Sequence, residues 1–342
     1  MNIEEFPEFD NHRSIHFLQD KSTGLRAFVA IHRGGINYPS FGATRYWEYK
    51  NEEEAIRDVL RLSRGMSYKS AMAGLIYGGA KAVIMAGLVK DKKAVLRAYA
   101  EKLNYLTGHF VTGTDVGMTK EDLLVMARVS DNFVGLKANP EKSTVDGVCE
   151  ALKVCIQEVF NDIDLSKRSF SVQGLGKTGV GIIEKLYEQG ATIFATDINK
   201  KKISEISRSF PKINICSPES IYSKNVDVFV PCALSHSINK KSIKRLRVKI
   251  IAGSANNQLE NEDLGVQLMV KGILYAPDYI VNAGGLISVI NEYESNRQEA
   301  LEEKIKNIGV NIRKIITTSR RQKKPTNFIA NRIAENIFNN AS

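Results

Sequence analysis

The amino-acid sequence predicts an α/β fold of two domains: an N-terminal α/β domain and a second domain built as a doubly wound sheet. Length is the first observation, because 342 residues suffice for two domains of ordinary size. The second is a glycine-rich turn at 174–179 that joins an expected strand to an expected helix. The third is a series of later apolar strands, each of which ends in a polar or small loop.

Composition describes a soluble globular chain. Apolar residues make up 43% of the sequence and charged residues 25%, and its apolar runs fall short of the roughly 18 residues that a membrane span needs. The N-terminus is polar and acidic, unlike a signal peptide, so a cytoplasmic protein without a membrane partner is expected. No metal site is expected either, because the cysteines form no Cys-x-x-Cys pair and no cluster with histidine.

The net charge of +10 raises nucleic acid as a partner. The basic residues are scattered, however, and dense runs such as 200–202 are short and accompanied by no zinc-finger or RNP-type motif. We therefore interpret the charge as solvated surface and expect no nucleic-acid partner. Such a surface also attracts small anions, weakly and in a salt-dependent way.

The segment 65–85 holds two lysines in surroundings that are otherwise apolar or small. Lys69 lies on the inner face of a helix predicted over residues 52–73, one face of which is traced by Ile56, Val59, Leu60, Ser63 and Met66. Lys81 follows Gly78-Gly79-Ala80 and precedes an apolar run typical of a buried strand. Both lysines could simply extend their ammonium groups into water. If they share a cleft instead, desolvation and mutual repulsion lower a lysine pKa toward the range of a working base.

This segment resembles the lysine-bearing segment of the glutamate/leucine/phenylalanine/valine family of amino acid dehydrogenases, most closely its leucine dehydrogenase branch. The resemblance covers about residues 20–340. It implies that Lys69 grips the substrate α-carboxylate and that Lys81 is the catalytic base. It also implies a homo-oligomer, with a substrate and oligomerisation domain at 1–140 plus a C-terminal helix at about 313–342, and an NAD-binding domain at 141–312.

A strand is predicted over residues 25–33, followed by Gly34, Gly35 and a loop that extends to Arg45. This loop resembles the family segment that lines the substrate pocket, although its glycines could equally serve only a turn. Ala43 replaces a glycine of the family pattern and Phe41 holds a usually aliphatic position, which leaves the substrate side chain open. The substrate contacts implied here are Phe41, Gly42, Ala43 and Met66.

Asp115 lies between two glycines after a strand predicted at 109–112, which itself follows a helix predicted at 96–106. An aspartate in this setting is consistent with a turn or a helix cap. The family places an acid at this position, close to the catalytic lysine, where it takes part in proton transfer. The resemblance therefore implies a catalytic role for Asp115.

The stretch 169–197 carries the pattern of a dinucleotide-binding unit: a strand at 169–173, a G-x-G-x-x-G turn, a helix at 180–187, and a strand at 191–196 that ends at Asp197. Such glycines let the backbone reach a pyrophosphate at a helix N-terminus. Asp197 would accept hydrogen bonds from ribose hydroxyls and repel a 2′-phosphate, so NAD is favoured over NADP. A turn without ligand is the alternative. The expected cofactor contacts are Gly174, Leu175, Gly176, Lys177, Thr178, Gly179 and Asp197.

Three further strands are predicted at 226–230, 248–251 and 273–275, and the chain is expected to be helical from Leu286 onward. Asparagine amides in the loops after these strands suit a nicotinamide carboxamide or a substrate amino group, and suit turns equally well. All three loops resemble cofactor and active-site loops of the family. The resemblance adds as cofactor contacts Thr144, Cys232, Ala233, Leu234, Asn256 and Asn282. As substrate contacts it adds Asn257, Leu286 and Val289.

The function expected from these residues is reversible oxidative deamination of an L-amino acid with NAD and water to a 2-oxo acid, ammonia and NADH. Closure of the two domains would bring nicotinamide and substrate together and exclude water. No lysine or arginine is evident for a side-chain carboxylate, so glutamate is not expected as substrate. A branched aliphatic side chain is the first choice and an aromatic one, phenylalanine or tryptophan, the second. A non-catalytic dinucleotide-binding protein and a nucleic-acid binder are the alternatives from other classes.

Overall fold

The computed structural model describes residues 2–34, 37–233 and 235–340, and it divides the chain into two compact units. Unit 1 consists of Met1–Ala138, Ser288–Asn296 and Ile337–Ser342. Unit 2 consists of Asn139–Ile287 and Arg297–Asn336. Each unit contains its own β-sheet with helices, which confirms the predicted two-domain α/β fold.

Unit 1 is built on a mixed sheet of five strands. They are β1 (Ser14–Asp20), β2 (Leu25–Ile31), β3 (Ser40–Trp47), β4 (Gly78–Met85) and β5 (Phe110–Thr114), in the spatial order β1-β2-β4-β3-β5. Strand β2 is antiparallel to both β1 and β4, whereas β3 is parallel to β4 and β5. The carboxyl ends of β3, β4 and β5 therefore lie at one edge of the sheet.

Helices cover both faces of this sheet. On one face lies α1 (Glu52–Met72), whose residues Val59 and Leu60 pack against Phe28 and Val83. Asn51 caps its first turn by accepting a hydrogen bond from the backbone of Glu54. The other face is covered by α2 (Lys92–Leu103) and α3 (Lys120–Ala127). Because side chains alternate along a strand, Lys81 points to the same face as Val83, toward α1.

The loop predicted for Phe41, Gly42 and Ala43 is wrong, because these residues lie inside β3, between β4 and β5. A Cβ atom at Gly42 would lie 2.1 Å from the carbonyl oxygen of Ala80, so glycine allows the two strands to approach closely. Pro39 comes directly before the strand, where it disturbs no ladder hydrogen bond. Gly35 and Ile36, also part of the predicted loop, lie outside the described residues.

Residues 288–296 belong to unit 1 and are fastened there by a carboxylate. Four successive backbone N–H groups, from Gly135 to Ala138, donate to Glu292 over distances of 2.5–3.1 Å. Gly135 has φ +96°, a left-handed conformation that glycine adopts at little cost and that turns these N–H groups to one side. The nest formed by these N–H groups thus binds the acidic side chain of a distant segment.

Unit 2 is built on a parallel sheet of six strands. They are β6 (Ser169–Gln173), β7 (Thr192–Thr196), β8 (Asn214–Ile215), β9 (Val228–Pro231), β10 (Ile250–Ile251) and β11 (Leu274–Tyr275). The spatial order is β11-β10-β9-β6-β7-β8, which in chain order is the 3-2-1-4-5-6 arrangement of dinucleotide-binding folds. The order reverses between β6 and β9, and ligands of such sheets bind at the carboxyl ends beside that point.

The helices after β5 and α3 begin with α4 (Pro140–Phe160). The others are α5 (Lys177–Glu188), α6 (Lys200–Ser209), α7 (Leu264–Val270), α8 (Asp278–Val281), α9 (Gly284–Tyr293), α10 (Gln298–Gln322) and α11 (Thr326–Asn340). The boundary between the units falls inside α9 and again inside α11. None of the described helices combines the length and apolar character that crossing a membrane requires.

The grouping of the C-terminal segment differs from the expected one. Residues 313–342 were expected with the N-terminal domain, but residues up to Asn336 belong to unit 2. The reason is the packing of α10 along α4, in which Gly309 lies against Val154 and Arg320 forms an ion pair of 2.7 Å with Glu158. Only the last residues of the chain return to unit 1.

Candidate active site

The first candidate site is a buried ion pair in unit 1. Lys81 lies in the middle of β4 with only 7% of its side chain exposed, and its Nζ lies 2.9 Å from Oδ2 of Asp115. Strand β4 reaches this position by packing closely on α1, since a Cβ atom at Gly79 would lie 1.9 Å from the backbone nitrogen of Ser67. Lys81 and Asp115, the residues predicted as base and acid, are therefore in contact.

Asp115 is fixed by the turn that follows β5. Its N–H donates to the carbonyl of Thr44 and its own carbonyl accepts from Met118, at 3.1 and 3.0 Å. Gly117 has φ +80°, and a Cβ atom there would lie 1.9 Å from the carbonyl oxygen of Tyr46. Burial raises the pKa of Asp115, but attraction by Lys81 and Arg45 outweighs burial and holds this pKa well below its ordinary value. The carboxylate is thus ionised beside the lysine.

Arg45 joins this pair to a second carboxylate. Its Nε lies 3.0 Å from Oδ2 of Asp115, and its Nη1 lies 2.8 Å from Oδ2 of Asp58 on α1. Asp58 also accepts from the hydroxyl of Tyr49 at 2.8 Å and from Arg61 at 2.6 Å. Burial lowers the pKa of Arg45, but the two carboxylates outweigh burial and raise it. The guanidinium is therefore permanently charged.

Sequence reasoning missed most of this network. It named Arg45 only as the end of a motif and did not name Asp58 or Tyr49. The alternation of β3 could have signalled Arg45, because residues 41, 43 and 45 share one face of a strand. Asp58 could have been recognised from its helical spacing to Arg61, which is an i, i+3 pair.

The two predicted substrate residues of α1 are half-buried. Met66 and Lys69 lie in its last two turns, on either side of Ser67, where α1 packs on β4. The contact between α1 and β4 therefore carries both predicted lysines, Lys69 on the helix and Lys81 on the strand. Ala43 on β3 is also half-buried. The pairing of Phe41 with Gly79 and of Thr44 with Ala82 places it level with Lys81 on the neighbouring strand β4.

An aromatic cluster surrounds Phe41, which is fully buried. Its ring centroid lies 4.7 Å from that of Tyr77 and 5.1 Å from that of Tyr293, both in edge-on geometry. The hydroxyl of Tyr77 donates to Glu294 at 3.1 Å. Burial and this carboxylate raise the pKa of Tyr77 to about 12. Elsewhere in unit 1, Val289 is half-buried, and its Cγ1 would lie 3.7 Å from a Cβ atom at Gly135.

The second candidate site is the glycine turn after β6 in unit 2. Gly174 has φ +101° and makes the sharp turn out of the strand. Gly176 precedes α5, and a Cβ atom there would meet nothing within 4 Å, so the space beside the helix N-terminus is open. Gly179 lets α5 pack on the turn, since its Cβ would lie 2.0 Å from the carbonyl oxygen of Gly174. Each glycine thus fills one of the three roles of the dinucleotide-binding fingerprint.

The side chains of this turn have separate surroundings. Leu175 is buried, and the hydroxyl of Thr178 lies 2.9 Å from that of Ser254. Lys177 is 81% exposed on its side chain and pairs with Glu141 at 2.7 Å. Apart from its backbone position at the start of α5, nothing in the described geometry directs Lys177 toward the turn.

Asp197 follows β7 and faces the glycine turn. Its carboxylate accepts from the N–H groups of Leu175 and Asn199, at 2.7 and 2.8 Å. An ionised carboxylate has about four acceptor positions, so two remain for a ligand. The acid predicted to select the cofactor is therefore half-buried beside the turn, with free acceptor capacity.

The remaining predicted cofactor residues lie in loops of unit 2. Cys232 follows β9 and donates its N–H to Gln173 at 2.7 Å; burial raises the pKa of its thiol. Ala233 is exposed, and Leu234 lies outside the described residues. Thr144 donates to the carbonyl of Pro140 at 2.7 Å, within the first turn of α4.

The asparagine loops contain a buried acceptor without a protein partner. Asn282 donates to Oδ1 of Asn256 at 2.9 Å, while its own Oδ1 is buried and has no hydrogen-bond partner in the described ranges. Asn256 and Asn257 are exposed, and Asn257 adopts φ +49°. Leu286 is buried in the first half of α9. A buried acceptor left unpaired is costly, and a ligand N–H or O–H would satisfy it.

Two family models match this chain. Residues 12–132 match the dimerisation domain of the Glu/Leu/Phe/Val dehydrogenases, and residues 193–337 match the glutamate/leucine/phenylalanine/valine dehydrogenase model. The chain belongs to this dehydrogenase family. It is thus an amino acid dehydrogenase, an oxidoreductase acting on the CH–NH2 group of an amino acid, and unit 2 holds its nucleotide-binding sheet.

Relatives of this dehydrogenase differ in their substrates. It is 38% identical to the leucine dehydrogenase of Bacillus subtilis over 343 residues, which cover 98% of this chain and 93% of the relative. It is 42% identical to the phenylalanine dehydrogenase of Bacillus thermotolerans over 308 residues, 86% of this chain and 80% of the relative. The crystal structure of L-tryptophan dehydrogenase from Nostoc punctiforme aligns with a TM-score of 0.85 at 39% identity, covering 96% of each chain.

Proposed function

We propose that this dehydrogenase catalyses the NAD-dependent, reversible oxidative deamination of a branched aliphatic, leucine-like L-amino acid to the 2-oxo acid and ammonia. The observation that supports the chemistry is the buried ion pair between Lys81 and Asp115. Lysine is rarely buried unless its charge is used or paired, and here the partner is itself a group that can move a proton. The leucine dehydrogenase of Bacillus subtilis, similar over 98% of this chain, supports the choice of substrate.

The residues of unit 2 fit a dinucleotide. The open space at Gly176 admits a pyrophosphate to the N-terminus of α5, and Asp197 has two acceptor positions for ribose hydroxyls. The unpaired Oδ1 of Asn282 suits a carboxamide N–H. NAD, when bound, accepts the hydride from the substrate Cα. Further proposed cofactor contacts are the backbone at Lys177 and Thr178, and residues Thr144, Cys232, Ala233, Leu234 and Asn256.

In the proposed mechanism Lys69 binds the substrate α-carboxylate and thereby fixes the orientation of Cα. After hydride transfer the substrate is an imine. Lys81 passes its proton to the imine nitrogen and then, as a neutral amine, takes a proton from water as the water attacks the resulting iminium carbon. Asp115, at 2.9 Å, relays protons while remaining ionised at rest. In the collapse of the carbinolamine, Lys81 returns a proton to the nitrogen, the hydroxyl gives its proton to Asp115 as the C=O bond forms, and the C–N bond breaks to release ammonia.

Substrate selection is proposed to rest on side chains of the two units. In unit 1 the proposed contacts are Met66, Ala43, Val289, Phe41 and Gly42; in unit 2 they are Asn257 and Leu286. An aromatic amino acid is the second candidate, favoured by the 42% identity to a phenylalanine dehydrogenase. One or two methylenes in an apolar pocket change binding by about 1–3 kcal/mol, so few substitutions separate the two classes. The match of residues 12–132 to a dimerisation domain supports a homo-oligomer.

The test is an assay of NADH formation across the L-amino acids with wild type and a Lys81→Ala variant. We expect turnover with leucine, valine or isoleucine, and loss of turnover by about 10³-fold or more in the variant, with NADH binding retained because unit 2 is unchanged. Lys92→Ala is the matched control, because Lys92 also pairs with an aspartate in unit 1, Asp122 at 2.6 Å. Substantial activity in Lys81→Ala would refute the base assignment, and a preference for phenylalanine would select the second candidate.

A further inference from the structure

One carboxylate oxygen in unit 1 serves two cations from different strands. Oδ2 of Asp115 lies 2.9 Å from Nζ of Lys81 on β4 and 3.0 Å from Nε of Arg45 on β3. Both cationic side chains are largely buried, with 7% and 20% of their surface exposed. A buried carboxylate does not require a second cation for neutrality, so the arrangement calls for an explanation.

We propose that Arg45 is a positioning residue of the deamination reaction: held by Asp58, it fixes the Asp115 carboxylate and shares that charge with Lys81. This proposal rests on the proposed function, in which Lys81 must act without its proton. When Lys81 is neutral, Asp115 would lack a cationic partner in the described part of unit 1 if Arg45 were absent. A buried unpaired carboxylate is costly, so Arg45 makes the neutral-lysine state accessible.

Arginine suits this task better than lysine does. Its planar guanidinium bonds Asp115 through Nε and Asp58 through Nη1, two separate edges that a single ammonium cannot provide at once. It also keeps its proton throughout a reaction in which Lys81 exchanges one. The charge beside Asp115 is therefore constant while the charge of Lys81 changes.

Asp58 sets how strongly Arg45 acts on Asp115. It lies on α1 with 14% of its side chain exposed and accepts from Arg45, Arg61 and Tyr49. Burial and Asp58 raise the pKa of Tyr49 well above its ordinary value, so its hydroxyl remains a donor. The contacts from Arg61 through Asp58, Arg45 and Asp115 to Lys81 thus alternate in sign. Lys69 is a further cation on α1, at the contact of this helix with β4. Removing the charge of Asp58 leaves the Arg45 guanidinium less neutralised. Removing Arg45 leaves Lys81 as the cation beside Asp115.

These two changes have opposite effects on the protonation of the lysine. Without Arg45, the full carboxylate charge attracts the Lys81 ammonium, so higher pH is needed to deprotonate it. With Asp58→Asn, the Arg45 guanidinium has one neutralising partner fewer and repels the Lys81 ammonium more strongly. Lys81 then loses its proton at lower pH. A purely structural salt bridge would change stability in both variants but would not move the pH profile in opposite directions.

The experiment measures kcat, KM and the pH profile of kcat/KM for wild type, Arg45→Gln, Arg45→Lys and Asp58→Asn, with the amino acid that wild type oxidises best. For Arg45→Gln we expect a loss of kcat of about 100-fold, little change in KM, and an acidic limb displaced to higher pH by about one unit. For Asp58→Asn we expect the limb at lower pH. Arg45→Lys should restore the position of the acidic limb in part. It returns the positive charge but cannot bond Asp115 and Asp58 through two separate edges.

Arg57→Gln is the matched control. Arg57 also bridges two carboxylates of unit 1, Glu53 and Glu8 at 3.0 and 3.1 Å, outside the network described above. We expect its pH profile and kcat to equal those of wild type. Thermal melting of every variant separates loss of fold from loss of rate.

The outcomes distinguish the two proposals. A wild type that oxidises none of the amino acids overturns the proposed function, whatever the variants do. An active wild type whose acidic limb stays in place in both Arg45→Gln and Asp58→Asn overturns the role of Arg45. If Arg45→Gln fails to fold, Asp58→Asn decides alone: a limb moved to lower pH supports the proposal, and a limb that is unmoved or moved to higher pH overturns it.

Discussion

The two candidate sites of this dehydrogenase differ in what forms them: charged side chains in unit 1 and backbone in unit 2. In unit 1, charged side chains arrive from β3, β4, α1 and the turn after β5 and meet around Asp115. In unit 2, a single stretch from Gly174 to Gly179 shapes the site with its backbone. The first site depends on the packing of a whole sheet, whereas the second depends on the conformations that six consecutive residues can adopt.

This difference determines how each site fails. The glycine turn has no spare room at Gly174 and Gly179, because a Cβ atom at either position would overlap another backbone atom. The side-chain network has redundancy, because Arg45, Asp58 and Asp115 each have more than one partner. Substitution in the turn should therefore act on folding first, and substitution in the network should act on rate first.

The largest difference is expected between the variants Gly179→Ala and Gly176→Ala, which test whether the backbone of the glycine turn determines stability. A Cβ atom at Gly179 would lie 2.0 Å from the carbonyl oxygen of Gly174, so α5 cannot pack on the turn. We expect the free energy of unfolding to fall by about 4 kcal/mol or more, measured by urea denaturation. Gly176→Ala is the matched control, since its Cβ would meet nothing within 4 Å. It should cost about 1 kcal/mol of stability, as an N-cap change, and weaken dinucleotide binding. Equal losses of stability in both variants would contradict the assignment.

The same difference explains what the sequence predicted well. Strand β6 and the helix after the glycine turn are confirmed, because the turn signal and the apolar runs are local. The long helix α1 is confirmed within one residue of its expected end, through its apolar face and its acidic first turn. The resemblance of the lysine-bearing segment to the dehydrogenase family is confirmed by the family models.

What the sequence could not predict depends on distant residues. Asp58 and Asp115 lie 13 and 70 positions after Arg45 in the sequence. The packing of α1 on the sheet and the pairing of β3 with β5 bring them together. Gly42 and Ala43 lacked a strand signal because glycine and alanine are weak strand formers, and their position between two strands overrides that propensity. The site roles proposed above remain predictions until variants are measured.

A second test uses pH to separate the stabilities of the two units. His32 in unit 1 is fully buried, and its Nε2 lies 3.0 Å from Asp10. Burial, then Arg33 and His12, lower the pKa of His32 to about 3, against the attraction of Asp10. The unfolded chain takes up this proton near pH 6.5 and the folded chain does not. The free energy of unfolding that depends on neutral His32 is therefore fully present above pH 6.5. It is lost as pH falls toward 3, by up to about 1.4 kcal/mol per pH unit.

The chain offers an internal probe for this measurement. Its single tryptophan, Trp47, lies in β3, so fluorescence during urea denaturation reports on unit 1. We expect the unfolding free energy from Trp47 to fall by about 2 kcal/mol between pH 6.5 and pH 5. In His32→Gln the unfolding free energy should fall less steeply with decreasing pH, because about one proton fewer is taken up on unfolding. An unchanged slope in the variant would assign the acid sensitivity to other groups.

The smallest expected effect concerns Asp197, where the backbone site of unit 2 uses a side chain. Asp197→Asn keeps the size of the residue but removes the charge and one acceptor oxygen. We expect NAD to bind about tenfold more weakly, about 1.4 kcal/mol, and the preference for NAD over NADP to fall further, because repulsion of a 2′-phosphate is lost. Isothermal titration with each dinucleotide measures both quantities.

Asp227→Asn is the matched control for this last test. Asp227 also accepts a backbone N–H in unit 2, from Ser169 at 2.8 Å, but at the amino end of β6, away from the glycine turn. Both variants lose a carboxylate that fixes backbone, so both should melt at lower temperature. Only Asp197→Asn should change the ratio of the two dinucleotide affinities. If that ratio stays at its wild-type value, Asp197 serves only to fix Leu175 and Asn199, and discrimination between the dinucleotides must come from another group beside the turn.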